Sequence, residues 1–172
     1  MRFFDFIFQD WKVNKGNIKG RVILLFFRLA NYCSRRKIYF YIGFPYLIFY
    51  RFLVELLLGI EIPWNTQIGK NLTLYHGQAL VMNNQVIIGE NCTLRQSTTI
   101  GNKQIRTGGF SPSPIIGNRV DIGSNVCIIG DISIGDNVLI GCGTIVVKNV
   151  SPNCTVTGNP GVERKSKTPD NE

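Results

Sequence analysis

An aliphatic residue recurs every six positions along most of this chain. The series runs Ile62, Ile68, Leu74 and Leu80, slips by two residues, and resumes at Ile88, Leu94 and Ile100. After a longer interruption it continues through Ile116, Ile122, Ile128, Ile134, Ile140 and Val146, making thirteen hexads. The next residue is Gly in seven of them, and the fourth is Asn, Gly, Asp or Ser in eleven. A period of six is not the ~3.6 of an α-helix. Six residues make one short strand and one sharp corner. Asn, Gly and Asp suit the corner because they tolerate a left-handed backbone. The aliphatic first position and a compact fifth position (Thr66, Cys92, Val120, Val126, Val138) point inward and stack on the next coil. Three such flats close a triangle, so the repeat predicts about four coils of a parallel β-helix.

The rest of the chain follows different physics. The 172 residues carry 19 Lys+Arg against 11 Asp+Glu, a net charge of +8. Residues 1–60 hold ten of the bases and three of the acids, which is +7 of that total. They also hold 16 of the 19 aromatics and only four of the 18 glycines. We expect a basic, aromatic helical segment here, with a break near Gly43 and Pro45. The uncharged run 38–50 is thirteen residues, short of the ~20 a membrane-spanning helix needs. Two readings stay open: the apolar face packs on the rest of the protein, or Arg35-Arg36-Lys37 and neighbouring bases meet anionic lipid. The domain plan is therefore 1–60 helical, 61–160 β-helix, and 161–172 a solvated tail. The five Cys lack CxxC spacing and no signal peptide is evident, so we expect reduced thiols in a cytoplasmic protein.

Residues 103–115 break the register with Gly108-Gly109 and two prolines. They read as an extruded loop, and a long loop on a rigid scaffold commonly shapes a site. His76 is the single histidine. As the third residue of its hexad it is expected to point outward near a corner.

The pattern Ile/Leu/Val-Gly-x-Asn-Val/Thr/Cys-x resembles the hexapeptide-repeat acyltransferases over about residues 60–165. That resemblance implies a left-handed β-helix, a homotrimer, and acetyl-CoA bound in clefts between neighbouring coils. The segment Glu61 to Gly101, with Tyr75-His76-Gly77 and Gln96-Ser97-Thr98-Thr99-Ile100-Gly101, is similar to the serine acetyltransferase branch. Within that branch it looks closest to capsule and exopolysaccharide O-acetyltransferases. His76 falls on the branch's catalytic His, and Glu61 on its acidic partner. For acetyl-CoA the resemblance points to Asn102, Ser124, Cys142 and Lys148, with Lys165 at the CoA phosphates. Serine enzymes carry an Asp before the catalytic His and a second His at the end of the extruded loop. Here those positions are Tyr75 and Ser113. Tyr75 and Trp64 could offer flat faces to a sugar.

These residues suit acyl transfer. A hydroxyl attacks a thioester poorly unaided, and an imidazole of pKa ~6.5 can take its proton during attack. The leading expectation is an acetyl-CoA-dependent O-acetyltransferase acting on a sugar hydroxyl of a surface polysaccharide or its precursor, by direct transfer. If the precursor is lipid-linked, residues 1–60 would hold the enzyme peripherally at the inner face of the cytoplasmic membrane. The alternatives are serine O-acetyltransferase and a non-catalytic trimeric scaffold. One histidine excludes a three-histidine zinc site, so no metal is expected. No base-reading motif accompanies the charge, so nucleic acid is not the expected partner.

Overall fold

A computed structural model describes residues 2–106 and 108–165. Three helices lead: α1 (Phe3–Ile7), α2 (Ile18–Ser34) and α3 (Lys37–Tyr50), the last running without a gap into a π-helical turn, Arg51–Leu57. The first strands are β1 (Ile60–Glu61), β2 (Gln67–Ile68), β3 (Thr73–Leu74), β4 (Leu80–Met82) and β5 (Ile87–Ile88). Then come β6 (Thr93–Leu94), β7 (Thr99–Gly101), β8 (Ile115–Ile116), β9 (Asp121–Ile122) and β10 (Cys127–Ile129). The chain closes with β11 (Ser133–Ile134), β12 (Leu139–Ile140), β13 (Ile145–Val146), β14 (Cys154–Thr157) and β15 (Val162–Lys165).

Every third strand pairs in parallel. Face 1 is β1-β4-β7-β10-β13, face 2 is β2-β5-β8-β11, and face 3 is β3-β6-β9-β12-β14. The fold is the expected parallel β-helix behind a short helical segment. Its fourteen parallel strands make almost five coils, one strand more than the thirteen hexads predict. The extra strand, β14, was hidden by a contraction: Val146 aligns with Ile128 but Val150 with Ile134, so the last corner is two residues short.

The register also moves the two-residue slip. Met82, not Leu80, stands over Ile100, and Ile60 stands beside Leu80. The two additional residues therefore lie in the corner between Leu74 and Leu80, not after Leu80. Leu80-Val81-Met82 is apolar throughout, which left the sequence register ambiguous there.

The corners differ in their chemistry. Between faces 2 and 3 the chain turns left-handed at Asn71, Asn91, Arg119, Asn137 and Asn153. Asn71 Nδ2 donates to Asn91 Oδ1 (3.0 Å) and Asn137 Nδ2 to Asn153 Oδ1 (2.9 Å), so these side chains ladder along the axis. Asn83 and Asn149, expected to serve left-handed corners, accept backbone N–H bonds from Gln85 and Ser133 instead. The glycine after the aliphatic residue has another cause. A Cβ on Gly89 would lie 2.5 Å from the Gly117 carbonyl oxygen of the next coil.

The helical segment closes the open end of the solenoid. The side chains of Asn14 and Asp10 act as a missing strand: Asn14 Oδ1 accepts from Leu74 N (3.1 Å), Asn14 Nδ2 donates to Leu72 O (2.8 Å), and Asp10 Oδ1 accepts from Leu72 N (2.8 Å). Arg28 pairs with Asp10 at 2.7 Å and donates to the carbonyls of Ile68 and Gly69. Both charged side chains are buried, at 1% and 3% exposure. Edge backbone groups must be satisfied, and here polar side chains satisfy them. The expected break at 43–46 is absent: α3 runs through Gly43 and Pro45. Gly43 is needed for contact, since a Cβ there would meet Cys33 Sγ at 2.7 Å. Pro45 sits on the exposed side of that helix.

At the other end the expected tail begins as structure. β15 pairs antiparallel with β14 and covers its edge, with Lys165 opposite Cys154. Residues 166–172 of that expected tail lie outside the described residues.

Candidate active site

The corner after β3 carries the two additional residues, and they change its shape. His76 has φ +65, Gly77 φ +78 and Ala79 φ +54. Gly77 N donates to Tyr75 O at 2.8 Å, closing a three-residue turn around His76. A positive φ on a residue with a side chain is strained, and such strain collects at functional sites. Gly77 is buried, and a Cβ on it would come within 3.2 Å of Ile60 Cδ1. The turn is thus pressed onto the coil at Gly77 while the imidazole stands out in solvent, as the hexad position predicts.

Below His76, the corners between faces 3 and 1 stack into a column. The Ser97 N–H bonds Gln78 O, the Asn125 N–H bonds Gln96 O, and the Gly143 N–H bonds Ser124 O. Gln78, Gln96, Ser124 and Cys142 therefore follow one another down this edge. Ser124 Oγ donates to Cys142 Sγ at 3.4 Å. Ser124, through its hydroxyl and its backbone, holds the Cys142 thiol below its ordinary value, and the Arg95 charge adds to this. Cys33, Cys92 and Cys127 are instead pushed up, chiefly by burial, and Cys154 chiefly by its contact with Glu163.

Arg95 was missed from sequence. Its guanidinium lies over the Tyr75 ring at 5.5 Å, pairs with Asp121, and donates to Ile122 O at 2.9 Å. A signal existed: Gly is the commonest second residue of a hexad, yet Leu74 is followed by Tyr75 and Leu94 by Arg95. That pair of departures marks this edge.

Glu61 lies on β1 opposite Val81, one coil before His76. The His76 corner rests on the turn that leads into β1, since Ala79 N donates to Gly59 O at 2.8 Å. Among the described residues of the single chain, no hydrogen bond or ion pair joins Glu61 to His76. Glu61 instead lines a cavity of about 440 Å³ with Arg51, Glu55, Trp64, Met82 and Asn83, between the helical segment and the solenoid. Burial pushes the Glu55 carboxyl up, Arg51 opposes this, and the Glu61 charge adds to it.

The remaining expected residues fall elsewhere. Trp64 is half-buried under the Arg51 guanidinium (5.7 Å), and its carbonyl is held by Asn31 (2.6 Å), so its ring is not a free platform. Asn102 and Lys148 sit at the corners between faces 1 and 2, across face 1 from Ser124 and Cys142. The extruded loop 103–115 leaves from that edge as a small hairpin, with Ser111 N bonding Lys103 O (2.8 Å) and Gln104 bridging Phe110. Ser113 at its root is buried and donates to Asn83 Oδ1 at 3.0 Å, which fixes the loop rather than presenting a hydroxyl. Lys165 is exposed on β15, within reach of the Cys154 thiol and not of the Ser124–Cys142 column.

No family model matches the chain. Among curated proteins it is 36% identical over 154 residues to the colanic acid biosynthesis acetyltransferase WcaB of Escherichia coli K12, covering 87% of this chain and 93% of that protein. It is 33% identical over 147 residues to serine acetyltransferase of Helicobacter pylori, covering 84% and 78%. Among solved structures it matches Neisseria gonorrhoeae serine acetyltransferase with a TM-score of 0.77 at 25% identity, over 97% of this chain and 68% of that one. Vibrio cholerae serine acetyltransferase gives a TM-score of 0.79 at 20% identity, which shows the shared fold. The repeat, the corner that presents His76 and these likenesses agree: the chain belongs to the hexapeptide-repeat acyltransferases, in the branch that holds WcaB and the serine acetyltransferases.

Proposed function

We propose that the protein moves acetyl from acetyl-CoA to a sugar hydroxyl of a surface polysaccharide or its precursor, with His76 as general base. The observation that carries this is the enlarged corner, which projects the single imidazole above the Ser124–Cys142 column. The extended edge below it suits the pantetheine arm. In the reaction, His76 takes the acceptor hydroxyl proton as the oxygen attacks the thioester carbonyl. The tetrahedral intermediate collapses, the C–S bond breaks, and the imidazolium returns the proton to the CoA thiolate. Ester and free thiol balance hydroxyl and thioester, with no acyl-enzyme.

Two features support a sugar over free serine. Tyr75 stands where serine enzymes have an Asp, so no carboxylate precedes His76. Ser113 stands where they have a second His, and it is engaged by Asn83. A homotrimer is part of the proposal. Ile87 and Ile115 are opposed partners on face 2, both exposed and both apolar, as a face covered by another copy requires. Another copy would bring the edge that carries Asn102, Lys148 and the extruded loop to a neighbour's His76.

The test is release of free CoA with serine, simple sugars and capsular oligosaccharide as acceptors. The oligosaccharide should be turned over and serine should not. His76→Ala should lower turnover at least ~100-fold with the melting temperature unchanged. Near-normal turnover in that variant sinks the assignment, and efficient serine turnover replaces the acceptor.

A further inference from the structure

The helix from Lys37 to Leu57 is apolar on both sides, which a helix on a water-exposed surface is not. Its inner side belongs to the protein. Leu47, Tyr50 and Val54 are fully buried, Tyr50 Oη donates to Ile62 O (2.7 Å), and Tyr46 Oη donates to Phe26 O (3.0 Å). Its outer side carries Ile38, Tyr41, Ile42, Ile48, Phe52 and Leu56, spaced by one, three, four or six residues along one stripe. Tyr41, Ile42 and Leu56 are each about three-quarters exposed. At ~1.5 Å per residue the stripe is about 30 Å long. By length and composition alone the helix could cross a bilayer. The inner contacts exclude that orientation, because crossing would strip Tyr50 from Ile62 and Tyr46 from α2.

Charge identifies the occupant. Residues 1–60 carry +7, and two of their three acids are spent internally: Asp10 is buried with Arg28, and Glu55 is paired to Arg51. Arg35, Arg36 and Lys37 are exposed at the start of the stripe. A second copy laid on this face would set two strongly basic segments against each other. An anionic bilayer surface offers both the apolar depth and the opposite charge.

We propose that α3 and its π-helical continuation lie in the plane of an anionic phospholipid surface, with the stripe at the headgroup–acyl boundary and the Arg35–Lys37 cluster on the headgroups. The solenoid is then held against the membrane by the helix it already packs on. This inference stands apart from the reaction proposed above, since vesicle binding is read without turnover.

The experiment is co-sedimentation of the full chain with vesicles of phosphatidylcholine alone or mixed with phosphatidylglycerol. The chain should sediment with the mixed vesicles, stay in solution with the neutral ones, and be released by high salt and by an alkaline wash. Ile38→Glu with Ile42→Glu should abolish binding while CoA release with a soluble acceptor is unchanged. Arg36→Gln and Lys37→Gln should each weaken binding about fivefold. Failure to sediment with mixed vesicles, equal sedimentation with neutral ones, retention through the alkaline wash, or full binding by the Ile38→Glu/Ile42→Glu variant overturns it. So does a concentration-dependent doubling of mass that this variant prevents, which would assign the stripe to a second copy.

Discussion

The helical segment and the solenoid solve the same problem, burial of apolar side chains, by opposite routes. The solenoid does it locally: each coil covers the one before, and every strand touches only its neighbours in register. The helical segment does it at long range. Asp10 reaches Leu72, Arg28 reaches Gly69 and Asn31 reaches Thr66, across 35 to 62 residues of sequence. A repeat can be recognised without any alignment, because each unit predicts the next. A long-range cap cannot, because nothing near Asn14 announces Leu74. The two regions also differ in what they present: an almost neutral solenoid carries the imidazole, and the basic segment carries the apolar stripe.

The largest expected effect falls at the junction. Arg28→Ala leaves Asp10 buried without its partner and frees the carbonyls of Ile68 and Gly69. Breaking such a pair costs about 3–5 kcal/mol, read as a fall in thermal or urea stability. If stability is unchanged, the helical segment is not the solenoid's cap and the contrast fails. A smaller loss is expected within the solenoid. Gly89→Ala places a methyl 2.5 Å from the Gly117 carbonyl oxygen, and forced overpacking costs about 1–3 kcal/mol. Gly101→Ala is the control for space, since its backbone is not left-handed and the nearest atom to its added Cβ is Asn83 Cβ at 3.7 Å. A loss at Gly101 equal to that at Gly89 would mean close coil stacking is not what selects glycine.

The smallest effect concerns the Cys142 thiol. Its value is depressed, so thiolate forms there at lower pH than at Cys33, Cys92, Cys127 or Cys154, whose values are raised. Near neutral pH an alkylating reagent should label Cys142 first, and acetyl-CoA should slow the labelling. Mass spectrometry of digested protein reads both. Equal labelling of all five, or no protection, removes Cys142 from the cofactor edge.

The solenoid was legible because Ile68, Ile88, Ile116 and Ile134 obey the same spacing that the strands later show. The strand count fell one short where the corner after Val146 contracts, and the slip was misplaced where three apolar residues run together. His76 was legible as the outward third residue of its hexad. Its left-handed backbone was not, because the expansion that creates it was assigned to the wrong corner. Trp64 and Ser113 were expected to face a substrate, yet Arg51 and Asn83 occupy them; both partners come from other parts of the chain. Gly43 and Pro45 suggested a helix end, but tight packing on Cys33 needs the first and the exposed helix side accommodates the second.

The side chains of Asp10 and Asn14 on one rim and β15 on the other have a consequence for solubility. A parallel β-helix with bare ends offers each new copy a row of unpaired backbone groups, and nothing in the repeat itself limits growth. Here the side chains of Asp10 and Asn14 take up the backbone groups of Leu72 and Leu74 at one rim, and at the other β15 runs antiparallel along β14. On face 3, therefore, neither rim offers another copy the parallel strand edge that the repeat itself would continue.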